Sequence, residues 1–478
     1  MTASFLGIDL GTSGLKLTLV AEDGVVLAES EASYDVQTPQ PGFAETDPDV
    51  WMAALRGAAT RLLSGPGLQA IGVTGQMHGV VLAREDGRPT RPAVLWPDQR
   101  AAWVLPRWVG LPHETRARLA NPIFAGMAGP MLTWLRQNEP ADLDAAGLVR
   151  SPKDWVRAQL TGDRVTERSD ASATLLWDVT TDDWSTVATA AAGVRVDQLP
   201  EVVGSDSVVG KATWPPIGEA QVQEHPTVSV VAGGADTACA LSALQAGGLA
   251  SNRADTVVVN VGTGVQIIRP GVTPTARDAP VSHLYADADG GWYEMLAVQN
   301  GGLALSWCQD VLGLDWDSFI ALAATARPGS EGLSFVPFLA GERGGLAGPG
   351  ARAGWLGGTR STGRAELARS AFEALAFTVR RGIELLGATA SDIVLSGGGA
   401  RDPWVRRLIA DVQGRSVSYV ALRSASGVGA AVLAARAVGV DLSVTADVVE
   451  VPASPSPALG DAYGRWCRAV EAMATYTG

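Results

Sequence analysis

Cysteine is scarce in this chain: Cys239, Cys308 and Cys467 are the whole complement of 478 residues. An odd, widely spaced trio supports neither a disulfide framework nor a CxxC-type zinc site, and it points to a reducing compartment, so a cytoplasmic protein is expected. No uninterrupted apolar run reaches about 18 residues, so no membrane span is expected. The opening MTASFLGIDL has no basic segment ahead of a long apolar stretch, and no secretory leader is expected either. Positive charge is in deficit, with 37 Lys and Arg against 50 Asp and Glu for a net charge of −13. With no basic run, such a chain is poorly suited to nucleic acid or an anionic membrane surface. Low-complexity tracts are absent as well. Apolar residues are not in short supply: they make up 46% of the chain, which excludes disorder and provides for a substantial core. At about 150 residues per domain, two large lobes or three ordinary domains fit the length.

The first 30 residues read as a strand meander. Phe5-Leu6-Gly7-Ile8 runs into Asp9 and the small-residue turn Gly11-Thr12-Ser13-Gly14, and residues 15–19 then alternate as a half-buried strand does. Asp23-Gly24 signals a hairpin, and 25–28 return as a third strand. Thr46-Asp47-Pro48 opens a helix whose apolar face is Trp51, Ala54, Leu55, Ala58 and Leu62, stopped by Gly65-Pro66-Gly67. A short buried strand at 68–73 ends at Gly75. The second half repeats the plan: a β-branched strand at 256–261, the turn Gly262-Thr263-Gly264, a strand at 265–268, a long helix at 366–386, and a strand at 393–395 ending in Gly397-Gly398-Gly399. The two Gly-Thr pairs are 262 − 11 = 251 residues apart, so the duplication is of whole lobes. Residues 105–225 read as helices and loops elaborating the first lobe. The Pro/Ser-rich stretch 452–457 reads as a linker to a last short helix ending near Met473.

Glycine-containing turns after strands let backbone N–H groups approach an anion, and a Thr or Ser hydroxyl adds a donor. None of the four such turns is a GxxxxGK[ST] loop or a GxGxxG fingerprint. Two Gly-Thr hairpins at matching places in two half-chains are a stronger signal than either alone, because a nucleotide held in a cleft needs donors from both walls. Asp9, at the end of the first strand, is either a turn aspartate bonding its own backbone or a carboxylate holding Mg²⁺ beside phosphates. Asp236, after a strand and the pair Gly233-Gly234, is an N-cap for the helix that follows, a cleft carboxylate able to take a hydroxyl proton, or both.

These residues, with GIDLGTSGLK at the start, GQMHG at 75–79, LWPDQR at 95–100, AGGAD at 232–236, VGTG at 261–264 and SGGGARDPW at 396–404, resemble the FGGY family of carbohydrate kinases. The likeness runs from Gly7 to about Gly439. It implies an α/β fold of two actin-like lobes (ribonuclease H-like/hexokinase superfamily) with a cleft between them. The expected division is an N-terminal lobe 1–242, a C-terminal lobe 243–440 and a tail 441–478. The resemblance places ATP on Gly11, Thr12, Ser13, Lys16, Gly262, Thr263, Gly301, Gly398 and Asp402, makes Asp236 the general base, and gives Asp9 the metal. On a strand that alternates with Leu15 and Leu17, Lys16 can equally face solvent. Met-His-Gly after the second buried strand is similar to the xylulokinases of that family. It implies substrate contacts at Met77 and His78, joined by Trp96 and Asp98 of the WxDxR element, although Asp98 and Arg100 can also form a local ion pair.

The sequence departs from the family pattern at Gly341-Glu342-Arg343-Gly344-Gly345, where Pro or Thr-Pro usually follows closely, and at Arg401-Asp402, which replaces Lys-Asn or Lys-Ser. Both leave Asp9 and Asp236 intact. The expected activity is ATP-dependent phosphorylation of a sugar hydroxyl with Mg²⁺, foremost D-xylulose at its 5-position. The partners expected are a small sugar and ATP, with a homodimer implied by the resemblance. Alternatives are a sibling kinase for ribulose, sedoheptulose, glycerol or gluconate, an actin-like assembling ATPase, and an idle sugar-binding regulator.

Overall fold

The computed structural model describes residues 3–62, 67–214, 227–339, 341–342, 345–348 and 350–474. The first sheet is built on β1 (Ser4–Leu10), β2 (Gly14–Ala21), β3 (Val26–Ser33), β4 (Leu68–Gly75), β5 (Val208–Thr213) and β6 (Thr227–Val231). Its strand order is β5-β6-β4-β1-β2-β3. β1 pairs antiparallel with β2, placing Asp9 opposite Lys16, and parallel with β4, placing Asp9 beside Thr74. The helix α1 (Pro48–Arg61) begins where the sequence marks it: Asp47 accepts the Asp49 N–H at 3.1 Å and Pro48 takes the first helical position. It buries Trp51, Leu55, Ala58 and Ala59 against the outer face of the sheet, and Trp51 meets Trp155 of α2 (Pro152–Thr161) edge to face. The expected stop at residues 65–66 lies outside the described residues. The region between residues 80 and 200 is mostly short helices and loops with an apolar cluster of its own.

α3 (Asp236–Ala246) leads to the second sheet, made of β7 (Thr256–Val261), β8 (Val265–Pro270), β9 (His283–Ala286), β10 (Trp292–Val298), β11 (Asp392–Ser396), β12 (Val417–Ala421) and β13 (Asp447–Val451). Its order, β13-β12-β11-β7-β8-β10-β9, repeats that of the first sheet, with β7 antiparallel to β8 and parallel to β11 as β1 is to β2 and β4. The duplication expected from the paired Gly-Thr turns is therefore present in strand order and direction. α4 (Gly302–Leu312), α5 (Arg364–Leu385) and α6 (Pro403–Gln413) belong to the second lobe, with a further helix at Trp316–Thr325 packed in the same core.

The two sheets share a middle layer. α7 (Ala425–Ala437), late in the chain, packs on β1 and β4 of the first sheet and beside α3. Its small residues allow backbone contact: a Cβ on Gly7 would lie 1.8 Å from the Gly427 carbonyl oxygen, and one on Gly429 would lie 1.7 Å from that of Cys239. Apolar residues from both sheets close on this pair of helices, including Phe5, Val231, Val258, Val394 and Val420. At the end of the chain the expected linker is present at 452–456 and the last helix ends next to Met473, but that helix is 18 residues long rather than short, and a strand precedes the linker. β13 extends the second sheet, and α8 (Pro457–Ala474) buries Leu459, Ala462, Tyr463, Trp466 and Val470 in the second lobe's outer core. β13 escapes a sequence reading because four of its five residues are exposed and only pairing to β12 makes it a strand. No described helix is long and apolar enough to cross a membrane.

Candidate active site

Each sheet delivers a hairpin to the gap between the lobes. The first, between β1 and β2, is closed by Gly11 N–H donating to the Gly14 carbonyl at 2.9 Å. Its carbonyls are tied from behind: Tyr34 Oη donates to Gly11 O at 2.6 Å, and Gln76 Nε2 donates to the same oxygen at 3.2 Å. The second hairpin, between β7 and β8, is closed by Gly262 N–H to Gly264 O at 2.8 Å and backed by the start of α4, where Gly302 and Leu303 donate to Gly262 O and Thr263 O. Gly301 serves that contact, since a Cβ there would lie 2.8 Å from the Gly264 carbonyl carbon. The segment between β10 and α4 that carries Gly301 is pinned by Glu342, whose carboxylate accepts the N–H groups of Gln299 and Asn300 at 2.9 and 3.1 Å. Arg343 and Gly344 of that loop lie outside the described residues. With the carbonyls committed, the N–H groups of Thr12, Ser13 and Thr263 have no acceptor among the described residues, the arrangement an anion requires.

One cavity of about 570 Å³ joins these hairpins. Of the residues expected at the site, Gly11, Thr12, Met77, His78, Trp96, Asp236, Gly262 and Thr263 line it, and its volume suits a ligand of small-molecule size. Trp96 Nε1 donates to Thr12 Oγ1 at 2.9 Å and so ties the loop that carries Trp96 to the first hairpin. His78 sits at φ +69°, a left-handed conformation that costs a non-glycine residue free energy, and its Nδ1 bonds the Ala173 carbonyl at 2.7 Å. Phe124 meets its ring edge to face at 5.5 Å, and His283 of the second sheet lies 6.5 Å away, stacked on Tyr285. The second sheet thus contributes to the cavity wall around His78, which no local sequence signal announces.

Asp236 is the first residue of α3, and its Oδ1 accepts the Thr237 N–H at 2.6 Å and the Thr237 hydroxyl at 3.2 Å. The N-cap expectation is not met, since Ala235 holds that position and Asp236 is already helical, bonding only its neighbour; its place on the cavity wall is what the structure shows. Burial, and next the charge of Asp9, push its pKa up to about 6. The loop before it is fixed by groups with no family motif: Arg157 donates to Ala232 O at 2.7 Å, Ser169 Oγ accepts Ala235 N–H at 2.8 Å, and Gly233 at φ +78° lets the backbone pass Val73. Behind it, Lys153 is fully buried among Asp154, Asp170 and Glu167 at 2.7, 3.1 and 3.4 Å. Burial opposes that ammonium charge, and the three carboxylates outweigh it and raise its pKa.

Asp9 accepts Ser426 Oγ at 2.5 Å from the first turn of α7. Burial raises its pKa, against the lowering pull of Ser426 and Lys16. Among the described residues no cluster of three or more His, Cys, Asp or Glu forms a metal cage. What exists is a pair of interacting carboxylates beside two anion-ready hairpins, and this hard, sparse donor set fits a Mg²⁺ that brings its own phosphate and water ligands.

Several expected contacts fall elsewhere. Asp98 is wholly buried: its carboxylate accepts Arg100 Nε at 2.9 Å and Nη2 at 2.8 Å as well as the Ala44 N–H at 2.6 Å. With its oxygens so committed it braces the loop that carries Trp96 and does not line the cavity. Lys16 faces Glu31 on β3 at 3.9 Å. Asp402 caps α6, accepting the N–H groups of Trp404 and Val405, and neither it nor Gly398 lines the cavity that joins the hairpins. Ser13 is exposed at the hairpin tip. The site also uses Gln76, Phe124, Thr237, Asn260, Gln266 and His283, of which only Gln76 lies inside a motif visible in the sequence.

Residues 4–243 match the N-terminal domain of the FGGY family of carbohydrate kinases, and residues 257–438 match its C-terminal domain. A xylulose kinase of Escherichia coli K12 is 33% identical over 441 residues, covering 90% of this chain and 89% of that protein. A gluconokinase of Bacillus subtilis is 28% identical, covering 92% and 88%. The crystal structure of a xylulose kinase from Rhodospirillum rubrum superposes with a TM-score of 0.86 at 26% identity, covering 99% of this chain and 98% of that one.

Proposed function

We propose, since this chain belongs to the FGGY family of carbohydrate kinases, that the hydroxyl it phosphorylates is the terminal, 5-position hydroxyl of D-xylulose. Family membership makes the protein an ATP-dependent phosphotransferase acting on a sugar hydroxyl; the sugar and the residue roles are the proposal. The carrying observation is that a single cavity holds both Gly-Thr hairpins, Asp236 and the Met77-His78 pair. A neutral ketose suits that wall better than gluconate does, because the described lining contains neither Lys nor Arg to meet a sugar carboxylate.

In this reading Asp236 takes the proton of the attacking hydroxyl. A carboxylate near pKa 6 is ionised at neutral pH yet more basic than an ordinary aspartate. The sugar oxygen bonds the γ-phosphorus in line, the bond to the β–γ bridging oxygen breaks, ADP leaves, and the proton remains on Asp236 until water takes it. The N–H groups of Thr12 and Thr263 hold phosphate oxygens in place, and such transfers depend on positioning and electrostatics more than on covalent work by the protein. Mg²⁺, when bound with ATP, would supply charge neutralisation at those oxygens, and this reading assigns its holding, directly or through its waters, to Asp9, which lies behind the cavity wall beside Asp236. Met77, His78, Trp96 and Phe124 orient the sugar and exclude water from the reacting oxygen.

The test is ADP release across xylulose, ribulose, sedoheptulose, glycerol and gluconate. The expected result is highest kcat/KM with D-xylulose, and a higher value with gluconate or glycerol overturns the substrate assignment. Asp236→Ala should fold and bind ATP but lose turnover by a factor of about 10² or more, and near-normal turnover removes Asp236 from its role.

A further inference from the structure

Besides the Thr237 backbone N–H at 2.6 Å, Asp236 Oδ1 accepts one side-chain bond, and that side chain is held from the other lobe. Thr237 Oγ1 has a single proton, which it donates to Asp236 Oδ1 at 3.2 Å. What keeps the hydroxyl in that rotamer is a donor to its lone pair: Gln266 Nε2, reaching from β8 at 3.3 Å. Gln266 is turned to present its nitrogen because its Oε1 accepts Asn260 Nδ2 at 3.0 Å from β7. Asn260 and Gln266 lie two residues before and two residues after the hairpin Gly262–Gly264, so the strands that present the second hairpin also carry the chain of bonds to the base.

All four residues line the substrate cavity, and all four also line a second cavity of about 270 Å³. They form part of the wall between two spaces, so their hydrogen bonds rather than close packing on both sides fix their orientation. We infer that Gln266, backed by Asn260, is a positioning residue that sets Thr237 to donate to Asp236, so that the base is correctly aimed only while the second lobe's hairpin strands are docked against α3. The inference rests on the reading of Asp236 as the general base. It gives Thr237, Asn260 and Gln266 a role that neither the sequence motifs nor the family match assigns.

Steady-state kinetics of Gln266→Leu, Gln266→Glu, Thr237→Val, Thr237→Ser and the Gln266→Leu/Thr237→Val double variant test it, with Asp236→Ala as control. Loss of one neutral hydrogen bond predicts a roughly 3- to 10-fold fall in kcat for Gln266→Leu, with KM for sugar and ATP within about twofold. Gln266→Glu should fall further, because its carboxylate competes with Asp236 for the Thr237 proton. Thr237→Ser should retain kcat within about twofold of the parent, since the hydroxyl is kept, whereas Thr237→Val should match Gln266→Leu. The double variant should be no slower than Thr237→Val alone, the non-additivity that marks residues acting through one bond. Wild-type kcat in both Gln266 variants, multiplicative losses in the double variant, or a change confined to KM overturns the inference while leaving Asp236 in its role if Asp236→Ala is inactive. An active Asp236→Ala overturns the underlying reading and this inference with it.

Discussion

A carboxylate buried beside a second one holds its proton more tightly than an aspartate in water, and the cost of its charged form falls on the fold. Asp236 illustrates the exchange. Burial and the neighbouring Asp9 lift its pKa from 3.8 to about 6. The folded state therefore binds the proton more tightly than the unfolded one. Stability from this group is fully present below about pH 4 and is lost as pH rises through about 6, so at neutral pH the charged form is a burden. Asp236→Asn removes that burden. It should raise the thermal midpoint near pH 8, equivalent to up to about 3 kcal/mol, with the gain shrinking as pH falls below 6. Calorimetry across pH checks this, and a variant no more stable than the parent at pH 8 rejects the raised pKa. In the parent, kcat/KM should fall on the acid side as pH drops through about 6, as Asp236 takes up its proton. Asp98 makes the opposite case. The WxDxR element that marks it as a sugar contact does not distinguish a carboxylate facing substrate from one facing Arg100, and here the bond is to Arg100. Asp98→Ala leaves a buried guanidinium with only the Glu45 carboxylate. It should cost about 3–5 kcal/mol of stability in denaturant titrations, with KM for sugar changed far less than by substitution of His78.

What was legible at the level of elements follows from how local the cause is. The hairpin turns, the Asp47-Pro48 helix start and the strand-ending glycines are each decided within a few residues, and each is found where the sequence places it. The supports of the site are not local. Tyr34 reaches the first hairpin from 20 residues away or more, Ser426 meets Asp9 across 417 positions, and Gln266 meets Thr237 only because two lobes dock. No spacing rule encodes such pairs, so they appear only once the sheets are assembled. α7 is the clearest example. It is made largely of Ala, Gly and Val, and residues 427–435 are buried without a break, so no single face marks it. Its purpose lies in its partners, because only small residues let it touch β1, β4 and α3 backbone to backbone. Gly429→Ala would push a methyl group into the Cys239 carbonyl, and the strain should lower stability by about 1–3 kcal/mol. The thermal midpoint reads that loss. Gly460→Ala, on the last helix with nothing within 4 Å of its added Cβ, should instead raise stability by about 0.4–1 kcal/mol.

At the scale of the whole molecule the sequence makes the duplication visible and conceals how the halves are joined. Two copies of one sheet topology suggest two bodies that could be cut apart near residue 242, with a tail beyond 440. The packing argues against so clean a division. The apolar layer between the sheets takes Phe5, Ala70 and Val231 from the first sheet, Val258, Val394 and Val420 from the second, and α3 and α7 from between them. α7 follows the second sheet in the chain but rests on β1 and β4 of the first. A fragment of residues 1–242 would therefore keep its outer core while exposing the inner face of its sheet, where Gly7 and Gly72 lie against α7. A fragment of 243–478 would carry α7 and β13 yet lack the surface on which α7 lies. Neither fragment should give a cooperative unfolding transition alone, because each leaves unburied an apolar face that folding must remove from water. Co-expressed, the two should associate and recover ATP-dependent sugar phosphorylation, since the break falls within α3, after Asp236 and Thr237. Scanning calorimetry and circular dichroism of the separate and combined fragments decide the point. If each half melts independently at the temperature it shows in the intact chain, the lobes are autonomous. Cross-lobe bonds such as Gln266 to Thr237 would then have to form by docking of two prefolded bodies, without the shared core that the packing indicates.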